Sequence, residues 1–225
     1  MNSELGRTVP QQTDQKVRFR IRIWFRKNQA LRFLGHHDLV RAFERFFRRA
    51  NIRLASTSGF SPKPIIVFAL ALPLGVVGNE EIVDVEVLDK PDPDELKEIF
   101  KNQAPPGLEV IRIEEVQGRK CPVPRGVVYR IPFESQFFQE LKDRISDVLS
   151  APPDKSLCIV SRDNGTVKDI RPLIQSIQLF EDYLEVALAM NDQGTAKPVE
   201  ITRILNLEGR TPLDKAVERL RIETE

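Results

Sequence analysis

Three groups of residues in this chain carry side chains suited to gripping a polyanion. In the first, Arg18, Arg20 and Arg22 alternate with Val17, Phe19, Ile21 and Ile23, so their guanidinium groups share one side of an extended segment with Trp24. Such a strand suits the sugar-phosphate backbone and stacked bases of nucleic acid. It equally suits pairing with acidic residues on a neighbouring strand. In the second group, His36, His37 and Asp38 stand where a helix begins, a position whose free amides and dipole attract anions. There His36 can donate to a phosphate or act as a general acid or base. Asp38 can orient it, and Arg41 lies on the same side one turn on. The plainer reading is that Asp38 caps the helix and His36 packs in the loop. In the third group, Gly59-Phe60-Ser61-Pro62-Lys63-Pro64, Phe60 offers a stacking ring and Lys63 a charge on a frame stiffened by two prolines. Its plainer reading is a rigid crossover with Phe60 buried.

These groups lie in or beside one basic region. From Arg18 to Arg53 there are eleven Lys and Arg against two acids, Asp38 and Glu44, a local charge of +9. The whole chain carries +1, so the rest carries −8 and the near-neutral total hides a basic N-terminal face. With 225 residues, 41% hydrophobic and 30% charged, the chain can bury a sizeable core, as one large domain or two. No apolar run approaches the roughly 20 residues that span a bilayer, and residues 1–16 lack the apolar stretch of a signal peptide, which leads to the expectation of a cytoplasmic protein. Cys121 and Cys158 are too few for a disulfide framework. The two histidines are adjacent, so no Cys and His spacing describes a zinc site, and neither a metal nor a cofactor is expected.

The elements that must position these groups follow from periodicity. Residues 1–16, polar and aperiodic, read as a disordered leader. The strand from Val17 is followed by a helix on which Leu39, Val40, Phe43, Phe46, Phe47 and Ala50 recur at helical spacing, with Arg41, Arg45, Arg48 and Arg49 largely on its back. The proline-rich loop leads to an apolar strand over 65–72 and a turn at Pro73-Leu74-Gly75. A second alternating run over 81–88 sets Asp84 and Glu86 opposite Val83, Val85 and Val87. Asp92-Pro93-Asp94 then opens a helix through Phe100, and a strand over 108–113 completes βαββαβ, the split βαβ unit. In that unit the first and third strands are central, so Asp84 and Glu86 come beside the arginine stripe.

Residues 117–126, with two prolines and two glycines, read as a linker between a first unit over 17–116 and a second over 127–225. In the second unit Val127, Tyr129, Ile131 and Phe133 mark a strand, and Ser135 caps a helix carrying Phe138, Leu141, Ile145 and Leu149. Leu157–Arg162 is a strand, Asn164-Gly165 a hairpin signal, and strands over 167–179 and 183–190 meet at Glu181-Asp182. A short helix spans 198–205, and the stretch from Thr211 is open between helix and strand. The expected fold class is α+β, a tandem pair of ferredoxin-like halves with antiparallel sheets.

The block Phe33-Leu34-Gly35-His36-His37-Asp38-Leu39, with Glu44, Arg48-Arg49-Ala50, Gly59 to Pro64 and Pro73-Leu74-Gly75, resembles a bacterial family of unknown function, the radical-SAM-linked proteins. Asp169-Ile170-Arg171-Pro172 and Gly194-Thr195-Ala196-Lys197-Pro198 resemble its second-half motifs. The family more often has Ser-His-Leu-Asp where this chain has Gly35-His36-His37-Asp38, and Asn-Pro-His-Pro where it has Ser61-Pro62-Lys63-Pro64. The resemblance implies a partner, because members are fused to or encoded beside radical SAM proteins, and often near ribonuclease and ribosomal protein genes. The chain has no three-cysteine cluster motif, so the chemistry would belong to that partner.

These readings converge on an accessory or substrate-recognition module without a catalytic site, contacting RNA or the ribosome, with Arg18, Arg20, Arg22, His36, Asp38, Arg41, Arg45, Phe60 and Lys63 as candidate contacts. Asp169 and Arg171 enter only as family marks. Two rivals stand beside it. One is a metal-independent RNA-processing or RNA-modifying enzyme using His36; the other is a protein-only adaptor whose basic stripe faces an acidic partner.

Overall fold

The computed structural model describes residues 18–117, 121–152, 158–161, 165, 167–192 and 194–224. The expected leader and Asn164 of the hairpin signal lie outside them. Strand β1 (Phe19–Lys27) buries Ile21, Ile23 and Phe25 completely, the inward set that its alternation marks. Helix α1 (His36–Arg49) closes on that face through Leu39, Phe43, Phe46 and Phe47, all buried. Helix α2 (Pro93–Gln103) lies beside it, with the Phe46 and Phe100 rings stacked at 3.5 Å. Asp92 caps α2 by accepting from the amides of Asp94 and Glu95, as Asp-Pro-Asp implies.

Two strands depart from expectation, and both belong to the pairing along β3. Strand β3 runs Val77–Val87, longer than the alternation at 81–88, whereas β2 keeps only Ile66–Phe68 of the apolar run at 65–72. Both β2 and the C-terminal strand β10 (Glu218–Thr224) pair with β3. Ile66–Phe68 face Val85–Val83 antiparallel, while Glu218 and Arg219 face Val77 and Gly78 in parallel. β10 thus pairs with the amino end of β3, beyond the stretch that β2 covers, a long-range pairing with no local signal, and the open stretch from Thr211 resolves into this strand.

With β4 (Leu108–Glu115), the first half has the lateral order β4-β1-β3-β2. The second half contributes β5 (Pro124–Pro132), α3 (Phe138–Ser150), β8 (Ile174–Leu179), β9 (Tyr183–Ala189), α4 (Pro198–Ile204) and β10, with strand order β10-β5-β9-β8. Relative to their order in the chain, the strands of both halves lie the same way. The β10–β3 pairing joins them into one mixed, mostly antiparallel eight-stranded sheet. A small hairpin of β6 (Ile159–Ser161) and β7 (Val167–Asp169) stands apart as a second sheet, so the expected strand over 167–179 is broken by a 3-10 turn at Arg171–Leu173.

Two boundaries are also corrected. β5 begins at Pro124, inside the expected linker. Ser135 does not cap α3; it opens a 3-10 turn over Ser135–Phe137 and α3 starts at Phe138 with no side-chain cap. Two apolar cores result, one under α1 and α2, the other under α3 and α4. No helix among the described residues is long and apolar enough to cross a membrane.

Candidate functional site

The arginines of β1 face carboxylates on β3. The register puts Arg20 opposite Glu86 and Arg22 opposite Asp84. Arg20 pairs with Glu86 at 2.5 Å, Arg18 reaches the same carboxylate at 3.4 Å, and Arg22 donates to both oxygens of Asp84 at 2.8 and 3.0 Å. Asp84 is buried, and its hydrogen bond outweighs desolvation to raise the Arg22 pKa above the ordinary guanidinium value. Trp24 is buried on the same face under the Arg112 guanidinium, 3.6 Å from the ring centroid. Cys121 also lies here, its thiol donating to the Val67 carbonyl at 3.5 Å. Burial, and after it Asp84, pushes its pKa up to about 11. The stripe is therefore a cross-strand ion-pair ladder, partly covered.

Helix α1 treats its basic residues differently. Its apolar side is fully engaged in the core, so Arg41, Arg45, Arg48 and Arg49 are left on the exposed back. Among the described residues only Arg41 of these four has a carboxylate partner, Asp38 at 3.4 Å. Arg45 and Arg49 donate to backbone carbonyls, those of Arg41 at 3.2 Å and Gln103 at 3.3 Å. Glu44 is the other acid on this helix, so four arginines against two acids leave it at +2.

At its amino end, Gly35 holds the cap position with no side-chain cap bond, so Asp38 is not the cap; it sits in the first turn and turns to Arg41. The expected orientation of His36 by Asp38 does not form. The His36 ring instead meets Phe68 edge-on at 5.2 Å and His37 at 5.8 Å, and both histidines are exposed.

The proline loop is a pinned hairpin with a bare tip. Ala55 donates to Glu86 O at 2.8 Å, Ile65 to Ala55 O at 2.9 Å and Thr57 to Lys63 O at 2.9 Å, while the Lys63 amide donates to Thr57 Oγ1 at 3.1 Å. These bonds anchor both legs to the sheet. Beyond them Gly59 takes φ +126°, a conformation side chains disfavour, and Phe60 stands wholly exposed rather than buried. The hairpin base meets the α1 face across a concavity of about 390 Å³ lined by Glu44, Arg48, Asn51, Arg53, Leu54 and Pro64. Arg53 is held by Asp89 at 2.5 Å. The fold thus brings Arg48 of α1 and the base of the Phe60 hairpin to one concavity, and leaves the β1 arginines on the opposite face of the sheet.

The second-half motifs brace the backbone. Asp169 accepts from the Arg171 amide at 2.8 Å, and the Arg171 guanidinium donates to Leu149 O at the end of α3 at 3.2 Å and to Ile174 O at 3.5 Å. Thr195 Oγ1 donates to Ala189 O at 2.8 Å, and the buried Glu200 accepts from the Lys197 amide at 2.8 Å. Each of these partners lies within the second half.

Sequence reading missed a buried polar cluster between the halves. Arg219 of β10 is wholly buried; its Nε donates to Glu81 Oε1 at 2.8 Å and its Nη2 to Glu81 Oε2, while Ala71 O and Leu70 O each accept at 3.1 Å. Burial opposes the Arg219 charge, but Glu81 outweighs it and the pKa is raised. Lys27, also buried, donates to Leu34 O at 2.7 Å, and burial lowers its pKa. The available signal was parity: Glu81 shares the inward parity of Val83, Val85 and Val87.

A family model described as an uncharacterized protein conserved in bacteria, DUF2344, matches residues 20–198. No curated protein matches. Among solved structures, the small subunit of acetolactate synthase from Thermotoga maritima is 12% identical over 93% of this chain and 96% of that one, with a TM-score of 0.25, too low to carry an argument.

Proposed function

We propose that this chain, which belongs to the bacterial family DUF2344, is a non-catalytic recognition module that holds RNA or a ribonucleoprotein for a radical SAM partner. Its two sheet halves read as tandem ferredoxin-like units, each with its helices on one face. The observation that carries the proposal is the back of α1: Arg41, Arg45, Arg48 and Arg49 are exposed together, and only Arg41 pairs with a carboxylate among the described residues. Four unneutralised or weakly neutralised guanidinium groups on one surface favour a polyanion, and a folded RNA presents phosphates at matching density. The partnership with a radical SAM protein rests on the resemblance of the His36–Asp38 block and its companion motifs. It assigns the chemistry to the partner and the grip to this chain.

The contacting set on this reading is Arg41, Arg45, Arg48, Phe60 and Lys63, with His36 at its amino end. Arg18, Arg20 and Arg22 serve the sheet. The test is binding of the purified chain to labelled RNA and to DNA of the same sequence across a salt titration. RNA-preferring binding whose log K falls linearly and steeply with log salt is expected. Binding that is absent, or indifferent to salt, sinks the proposal and leaves the protein-only adaptor ahead.

A further inference from the structure

We infer that the nucleic acid is taken as an unpaired strand, with one base stacked on Phe60 and the adjoining phosphates on Arg48 and Lys63; this rests on the reading of α1 as an RNA-binding surface. The starting point is the cost of Phe60. A wholly exposed phenyl ring forgoes the stabilisation that burial would bring. The hairpin that carries it is built to hold it there. Both legs are hydrogen-bonded up to Thr57 and Lys63, Pro62 and Pro64 restrict the returning leg, and only the short tip around Gly59 is left free. The pinned legs fix where the tip, with Phe60 on it, is presented.

The surroundings decide what the ring meets. Its tip neighbours are Ser58, Gly59, Ser61 and Pro62, with no second large apolar side chain among them. A membrane-inserting loop or a protein hot spot gathers several apolar groups, whereas a lone ring among small polar residues matches the face of one base. Lys63 adds a cation on the returning leg, and Pro64 beside it forms the wall of the concavity that Arg48 and Asn51 line from α1. Pro64 thus links the leg that carries Lys63 and Phe60 to a concavity where Arg48 stands beside Glu44, its one acid from α1. A duplex hides its base faces inside its own stack, and a protein ring reaches them only by unstacking a step. An unpaired strand offers them at no such cost.

The experiment uses the full chain and two labelled RNAs of about a dozen nucleotides, one unstructured and one the same sequence annealed to its complement, each titrated by fluorescence anisotropy. The single strand is expected to bind at least about tenfold more tightly than the duplex. Phe60→Ala should weaken single-strand binding about tenfold while leaving duplex binding and the salt slope unchanged, and Phe60→Trp should restore it. Phe60 lies at a fully exposed tip, so its replacement leaves the fold intact, which circular dichroism of each variant checks. Equal affinity for the two RNAs, or a Phe60→Ala variant that binds the single strand as wild type does, overturns this inference while the α1 surface stands. Binding to anionic vesicles that requires Phe60, with RNA binding indifferent to it, overturns it also. Loss of all salt-dependent binding in the wild-type chain removes the α1 reading itself.

Discussion

Strand β1 and helix α1 draw their arginines from one basic segment, yet the fold treats the two sets oppositely. On β1 each of Arg18, Arg20 and Arg22 meets a carboxylate of β3 within 3.4 Å. On α1, one of four exposed arginines does so among the described residues. The cause is geometric. A central strand has a neighbour about 5 Å away on each side, and parity fixes which of its residues lie opposite. The back of a surface helix has only its own i±3 and i±4 positions and water. Charge density along a sequence therefore locates a basic region, while the partner strands decide which part of it remains available to a ligand.

This contrast is broken most forcibly at Asp84. Asp84→Ala would leave the largely covered Arg22 without its bidentate partner in a buried setting, with a loss of about 3 kcal/mol in denaturant unfolding and no change in RNA affinity. A loss under about 1 kcal/mol would mean that the ladder is an ordinary surface network. A smaller effect sharpens the same point. The Cys121 thiol sits over this face with its pKa pushed up to about 11, so at pH 8.5 it should be almost entirely protonated and alkylate far more slowly than a small free thiol. The thiolate form is disfavoured in the folded chain, so alkylation should accelerate only as pH rises toward that value. Residue-resolved mass spectrometry reads the rate, and fast modification at pH 8.5 would show the face to be open.

Much of the first half was legible because its signals are local. The alternation of Ile21, Ile23 and Phe25, the helical recurrence through Phe47 and the Asp92 cap each name an element and its buried side. The pairing of Arg20 and Arg22 with Glu86 and Asp84 was legible as one of two readings, since it follows once β1 and β3 are neighbours. What was not legible depends on distant chain segments. β10 pairs with β3 across most of the sequence, and that pairing brings Arg219 to the buried Glu81. Asp38 illustrates a different limit. Its type suits a cap, but the helix starts two residues earlier, at His36, and a one-turn partner in Arg41 takes the carboxylate instead.

The most direct test removes equal charge from the two regions. Arg18→Gln/Arg20→Gln on β1 and Arg45→Gln/Arg48→Gln on α1 each delete two guanidinium groups, and RNA binding is measured for both across the same salt range. The account expects the α1 pair to weaken binding and flatten the salt slope by about 1 to 2, with the β1 pair close to wild type. Equal losses from the two pairs, or a larger loss from the β1 pair, would contradict it.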